Sequence, residues 1–272
     1  MASGAAHPLI TLLTDFGTAD TYVGVMKAVI LGICPQARII DLSHDVAPQD
    51  VQEAAYLLDT AWPYCPPGTV HVVVVDPGVG TPRRILCVEA LGQRFVAPDN
   101  GVLSYVLDRA GGLRVFAVER RELFLPHVSQ TFHGRDIMAP VAAHLARGLG
   151  AEAVGPPLSG APAQISLSRA VATDAGLEAH VIHIDHFGNL ITDLGEEAFA
   201  AWSKRAGAQG VLIRVGDRSI QDIRPTYAAA APGELVALFG STGRLEISVN
   251  GGSAAELLGA RRGAMVVVGP RR

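Results

Sequence analysis

Cysteine is nearly missing: Cys34, Cys65 and Cys87 are the three that 272 residues carry. Thiols so few and so scattered do not make a zinc knuckle, and an odd number suits reduced, space-filling side chains in a cytoplasmic protein. Basic residues are sparse too. With 22 Lys and Arg against 26 Asp and Glu, a net charge of -4 and 6% aromatics, the chain has no basic stripe or stacking platform, so a nucleic-acid partner is not expected. No apolar run approaches the roughly 18 residues of a membrane-crossing helix. The opening stretch MASGAAHPLITLL has no basic leader region, so neither secretion nor a membrane partner is expected. Common catalytic signatures are absent as well: there is no GxSxG, no HExxH, no P-loop and no GxGxxG opening a helix, which disfavours the commonest hydrolase, phosphotransferase and dinucleotide readings.

What is abundant is apolar: 49% of the residues are hydrophobic, enough for a sizeable core. The stretch TVHVVVVDPGVGTPRR, Thr69 to Arg84, organises the rest. His71 to Val75 reads as a strand buried on both faces of a parallel sheet, which puts Asp76 at the strand's carboxyl end, where open α/β sheets bind ligands. Pro77-Gly78-Val79-Gly80 then makes a tight turn before Arg83-Arg84. Asp76 and Arg83 can face each other across a small pocket; the same pair also reads as a plain ion pair at a loop base.

Leu9 to Leu13 is a strand ending in Thr14-Asp15-Phe16-Gly17, so Asp15 repeats the position of Asp76, and Asp20 to Cys34 has helical apolar spacing. A second strand, Arg38 to Leu42, ends near Ser43-His44-Asp45 and is followed by a helix over Asp50 to Ala61. Strands follow at Ile85 to Ala90, Phe95-Val96 and Leu113 to Val118, with a helix ending near Arg109 and another after Thr131-Phe132-His133-Gly134-Arg135-Asp136. Alternation of strand and helix predicts an α/β fold: a helix-covered, mainly parallel sheet domain over residues 1–160. The Pro/Gly-rich run Gly155 to Pro162 reads as a linker. Beyond it, short β-like segments predict a smaller β-rich C-terminal domain over 171–272, with two short helices, Glu196 to Lys204 and Ala254 to Leu258.

The polar residues with chemical potential are loop-end acids, Asp15, Asp20, Asp76, Asp99 and Asp185, together with Arg83 and His133. None has the close spacing of zinc or iron ligands, so no metal is assigned. Each Asp taken singly also reads as a solvated acid or a helix cap. Taken together, TDFGTADTYVGVMK, DLSHDVAPQDVQEAAYLL, VVVDPGVGTPRR, APDNG, TFHGRDIMAP, IDHFGNLITDL and GELVALFGSTGRLEISVNGGSA resemble the S-adenosylmethionine (SAM) hydroxide adenosyltransferases, relatives of the SAM-dependent fluorinase and chlorinase. The resemblance runs over nearly the whole chain, in order. It implies a cofactor-free hydrolase that converts SAM and water to adenosine and L-methionine, built as a homotrimer with SAM held between the N-terminal domain of one subunit and the C-terminal domain of its neighbour.

Carried over by matching motifs, the resemblance implies that Asp76, Arg83 and His133 hold the attacking water and that Asp15 binds the ribose hydroxyls. Asp20, Asp185 and Ser241 would receive the methionine end. Asn189, with the backbone near Asn250 and Gly251, would read adenine, and Phe187 and Tyr227 would form apolar walls. The halogenase pattern has an aromatic in place of Gln49, tyrosine in place of Asp76, serine in place of Gly134 and arginine in place of Thr242. A carboxylate at Asp76 is a poor neighbour for a halide, so hydrolysis is the expected reaction, with a halogenase or a non-catalytic adenosine or SAM binder as the alternatives. Thr242 leaves the contact to the methionine carboxylate open. Attack at C5′ of a sulfonium expels a neutral thioether, which needs no general acid and accounts for the missing acid/base pair.

Overall fold

The computed structural model describes residues 7–271; the leaderless reading of the first stretch lies in part outside the described residues. Its two compact units divide after Ser166.

The first unit contains β1 (Leu9–Thr14), α1 (Tyr22–Ile33), β2 (Arg38–Ser43), α2 (Val51–Ala61), β3 (Val70–Val74), β4 (Ile85–Ala90), β5 (Gln93–Pro98), α3 (Ser104–Arg109), β6 (Arg114–Ala117) and α4 (Ala139–Ala146). Its sheet runs β2-β1-β3-β5-β4-β6. Every residue of β3 is buried, because alternate valines feed opposite faces. Val70, Val72 and Val74 join α1 and α4 through Met26, Ile30, Val141 and Leu145, while Val73 joins α2 and α3 through Leu58 and Val106.

The pairings β1–β2, β1–β3 and β3–β5 are parallel, but β4 runs antiparallel to both β5 and β6. The sheet is therefore parallel over one half and antiparallel over the other, less uniform than strand–helix alternation suggested. Leu91 and Gly92, at φ 53° and 76°, make the two-residue turn that forces β4 and β5 into a hairpin. The Gly155 to Pro162 run also departs from its reading as a linker, since it is strapped along the first unit. Ala117 N–H donates to the Pro156 carbonyl at 2.9 Å, Leu158 N–H to the Val115 carbonyl at 2.8 Å, and Arg84 Nη1 to the Ser159 carbonyl at 2.8 Å. Proline cannot donate but its carbonyl accepts, so such a run can still dress a sheet edge.

The second unit holds β7 (Val171–Thr173), β8 (Gly176–Ile184), β9 (Leu190–Gly195), α5 (Glu196–Ala206), β10 (Val211–Val215), β11 (Arg218–Gln221), β12 (Leu235–Phe239), β13 (Arg244–Val249), α6 (Ala254–Leu258) and β14 (Met265–Pro270). Strand order is β11-β10-β14-β8-β9-β13-β12, with β7 beside β8. The sheet curls until its end strands meet, where Arg224 N–H donates to the Ala237 carbonyl at 2.7 Å, so the unit is nearly a barrel. Sequence reading missed β7 and β11, which have no run of apolar residues to mark them. Among the described residues no helix is long and apolar enough to cross a membrane.

One buried polar group in β3 makes the fold sensitive to acid. His71 is fully buried, with Nδ1 2.7 Å from Thr11 Oγ1, Nε2 2.5 Å from Gln93 Oε1, and its ring stacked on Phe95. Burial pushes its pKa from 6.5 down to about 4. The unfolded chain thus binds the extra proton first, and the neutral imidazole's stabilisation, complete above pH 6.5, is lost as pH falls toward 4, by about 3 kcal/mol. In denaturant titrations from pH 7 to 4, a His71→Gln chain is expected to lose about 3 kcal/mol less stability than wild type. Equal losses in the two chains would contradict this.

Candidate active site

Thr14 at the end of β1 stands in register with Val74 at the end of β3, so Asp15 and Asp76 leave neighbouring parallel strands at the same edge. From β1 the chain turns to β2 on one side, and from β3 it goes on to the strands of the other side. That divergence opens a crevice at the carboxyl ends, the usual ligand position in such sheets. A pocket of about 380 Å³ lies there. Asp15, Asp76 and His133 line it, with an aromatic wall of Phe16, Tyr22 and Phe132 whose ring centroids are 5.3–5.6 Å apart. Asp15 Oδ2 accepts from the backbone N–H of Gln49 at 2.8 Å, and this bond helps hold Gln49 at φ 66°, the left-handed region that a non-glycine residue rarely occupies.

Arg83, which does not itself line the pocket, joins Asp76 to His133. Its Nε donates to both Asp76 oxygens at 3.0 Å, its Nη2 donates to Asp76 Oδ2, and Nη2 also donates to His133 Nδ1 at 2.8 Å. The side chains of Asp76 and Arg83 are only 5% and 11% exposed, so water screens this pair far less than a surface salt bridge. Guanidinium has no lone pair to offer. His133 Nδ1 must therefore be bare, the ring is neutral and the proton sits on Nε2. Burial, and after it the Arg83 charge, hold the His133 pKa below its ordinary value in keeping with this. Two glycines make the arrangement possible. A Cβ on Gly78 would stand 3.2 Å from Arg83 Cγ, and one on Gly80, at φ 78°, would stand 2.4 Å from the Gln130 carbonyl oxygen.

His133 is presented by a loop that sequence reading did not credit with its own supports. Asp136, fully buried, accepts from Ser129 N–H at 2.8 Å and from Arg135 Nε at 2.5 Å, and Ser129 Oγ accepts from Phe132 N–H at 3.0 Å. Burial alone would raise the Asp136 pKa, but the bonds from Arg135 and Ser129 more than offset it and the pKa is lowered. One wide turn of π-helix, Gly134–Met138, carries the chain from this loop into α4, a feature frequent at functional sites. The aromatic wall and Asp136 are the site residues that the sequence reading missed, while Gln49 it singled out only as a departure from the halogenase pattern. The fragments TDFG and TFHGRD contain most of them, but nothing in their spacing says that Phe16 and Phe132 meet.

Residues 10–155 match the N-terminal domain, and residues 179–267 the C-terminal domain, of the SAM hydroxide adenosyltransferases. The chain belongs to that family. It is similar to an (R)-S-adenosyl-L-methionine hydrolase of Thermus thermophilus, 42% identical over 94% of this chain and 98% of the relative. Another protein of that description, from Salinispora tropica, is 40% identical over 95% and 97%. A fluorinase of Nocardia brasiliensis is 29% identical over 96% and 97%. A solved structure of a Thermotoga maritima protein superposes with a TM-score of 0.89 at 40% identity, covering 95% of this chain and 99% of its own.

The remaining candidate residues of this chain are distributed as follows. Asp20 is exposed in the loop before α1 and does not line the pocket. In the second unit, Asp185 Oδ1 accepts from the N–H groups of Phe187 and Asn189, and Asp185 Oδ2 accepts from Asn189 Nδ2, each at 2.9 Å. The tight loop between β8 and β9 so formed leaves Phe187 72% exposed. Asn250 Nδ2 donates to the Ala230 carbonyl at 2.8 Å, and Gly251 beyond it takes φ 75°. Tyr227 Oη donates to the buried Glu246 at 2.8 Å, and burial with that carboxylate pushes its pKa up to about 12. Ser241 lies in the turn between β12 and β13, exposed. Because Gly195 pairs with Arg244 and Leu190 with Ile247, Ser241 and the Asp185–Asn189 loop sit at opposite ends of β13, roughly 16 Å of strand apart. Among the described residues no cluster of three or more His, Cys, Asp or Glu side chains is placed to hold a metal ion.

The fit around Gly134 is tight: an added Cβ would stand 3.0 Å from Val74 Cγ1 and 3.4 Å from Met26 Sδ. Gly134→Ala is expected to cost about 1–3 kcal/mol by overpacking, and markedly less in a Val74→Ala background. Additive costs in a double-mutant cycle, read by chemical unfolding, would show that the two side chains do not compete for this space.

Proposed function

We infer that the protein hydrolyses S-adenosyl-L-methionine to adenosine and L-methionine. Membership of the family and curated relatives of that description at about 40% identity over most of the chain carry the reaction. The single structural observation that carries the mechanism is the buried Asp76–Arg83–His133 chain opening onto a pocket beside Asp15. The names of those relatives specify the R configuration at sulfur, which the sequence left open, and the proposed substrate is the R epimer.

In this reading Asp15 takes the ribose hydroxyls and the attacking water sits between Asp76 and His133. Neutral His133, with Nδ1 occupied by Arg83, can donate through Nε2 but cannot act as base. Asp76 is then the acceptor of the water's proton, with Arg83 holding its carboxylate in place. The water oxygen bonds to C5′, the C5′–S bond breaks with its electron pair going to sulfur, one water proton passes to Asp76 and on to solvent, and the other stays on the 5′-hydroxyl of adenosine. Sulfonium charge is neutralised as the bond forms, so a dry pocket favours the step. A thioether leaving group calls for no cofactor. The aromatic faces of Phe16 and Tyr22 suit a sulfonium cation. A site completed by a neighbouring subunit of a homotrimer is the finer reading, supported by the family resemblance and by the exposed Phe187.

Hydrolysis of each sulfonium epimer in ¹⁸O-labelled water is expected to place the label on the 5′-hydroxyl of adenosine, faster for the R epimer. Label in methionine, or no adenosine, would overturn the reading. Asp76→Ala and Arg83→Ala are expected to lower kcat at least a hundredfold while adenosine affinity changes less than threefold, on the scale of lost electrostatic and proton-transfer catalysis. Parallel loss of binding, measured by calorimetry, would move both residues from the water to the nucleoside. Mixed trimers of Asp76→Ala and Asn189→Ala chains should regain activity if sites are shared between subunits, and verified mixed trimers without activity would exclude sharing.

A further inference from the structure

The motif DLSH, at the end of β2, has no part in the chemistry described above, yet its histidine is buried beside the pocket. His44 is 5% exposed. Its Nδ1 is 2.9 Å from Thr14 Oγ1, and Thr14 Oγ1 in turn accepts from Phe16 N–H at 3.3 Å. The His44 carbonyl accepts from Gly17 N–H at 2.7 Å. On the far side of the ring, Nε2 lies 2.9 Å from Asp41 Oδ1, close but out of line for a strong hydrogen bond, and Lys27 Nζ donates to Asp41 Oδ2 at 2.5 Å. A carboxylate oxygen at that range requires the proton on Nε2. With Nδ1 bare, the Thr14 hydroxyl donates to it and keeps its oxygen free to accept from Phe16.

We propose that His44 is a positioning residue for substrate binding: with Thr14, Asp41 and Lys27 it fixes the segment Thr14–Gly17 so that Asp15 and Phe16 face the nucleoside. This rests on the reading that Asp15 takes the ribose hydroxyls. The segment carries two pocket residues on four positions, and His44 grips it at both ends, through Thr14 Oγ1 and Gly17 N–H. None of these contacts touches Asp76, Arg83 or His133, so the relay governs binding and leaves the water's environment unchanged.

The test measures adenosine affinity by calorimetry and KM and kcat for the R epimer in Thr14→Val, His44→Ala, His44→Asn and His44→Gln chains. Thr14→Val removes the hydroxyl at constant volume and is expected to raise KM and the adenosine Kd roughly five- to tenfold with kcat within about twofold, the loss of one net hydrogen bond. His44→Ala should do the same. Its effect should be largely rescued by His44→Asn, whose amide oxygen can take the Nδ1 position, and not by His44→Gln, whose amide falls at Nε2. Thr14→Val with unchanged Kd and KM, or equal behaviour of the Asn and Gln chains, would overturn the relay while wild-type binding stands. Wild type that binds no adenosine would overturn the underlying reading of the pocket and this inference with it.

Discussion

Arginine can only donate hydrogen bonds, and Arg83 is wedged between a carboxylate and an imidazole. That constraint sets the protonation of everything around it. Asp76 accepts from two guanidinium nitrogens, and His133 must be neutral with Nδ1 bare. Both groups face the pocket while the cation stays behind them. The site therefore presents an acceptor and a donor to whatever enters. Removing one partner would leave a buried charge uncompensated, which is far costlier than the pair is stabilising.

The rest of the first unit serves to keep that geometry. β1 and β3 end in register, the PGVG turn leaves room for Arg83 to fold back, and the loop before α4 is tied by Asp136 to its own backbone. Side-chain oxygens repeatedly take backbone N–H groups in these loops: Asp15 that of Gln49, Thr14 that of Phe16, Ser129 that of Phe132. Loops fastened this way position side chains with little further ordering on binding, which leaves more of the interaction energy for ligand affinity.

In the second unit the same device appears in the loop between β8 and β9, where Asp185 Oδ1 accepts from the backbone N–H groups of Phe187 and Asn189. Aromatic Phe187 remains exposed at the tip of one loop. An apolar ring left 72% exposed contributes little to the core of its own unit.

The sequence by itself determined the strands that are buried on both faces, the acids at their carboxyl ends and the glycine turn between Asp76 and Arg83, because burial periodicity and turn chemistry are local properties written residue by residue. It also carried the family, since long ordered motifs are specific even where single residues are not. Tertiary structure alone decided that the Pro/Gly run is a strap and not a linker, and that Phe16, Tyr22 and Phe132 share one wall. It alone placed Arg83 behind the pocket and His44 against Thr14. The contact of His44 with Thr14 spans 30 residues and that of Phe16 with Phe132 spans 116, and the existence of such contacts depends on which strands become neighbours, a choice made by the packing of the whole sheet and by no local pattern.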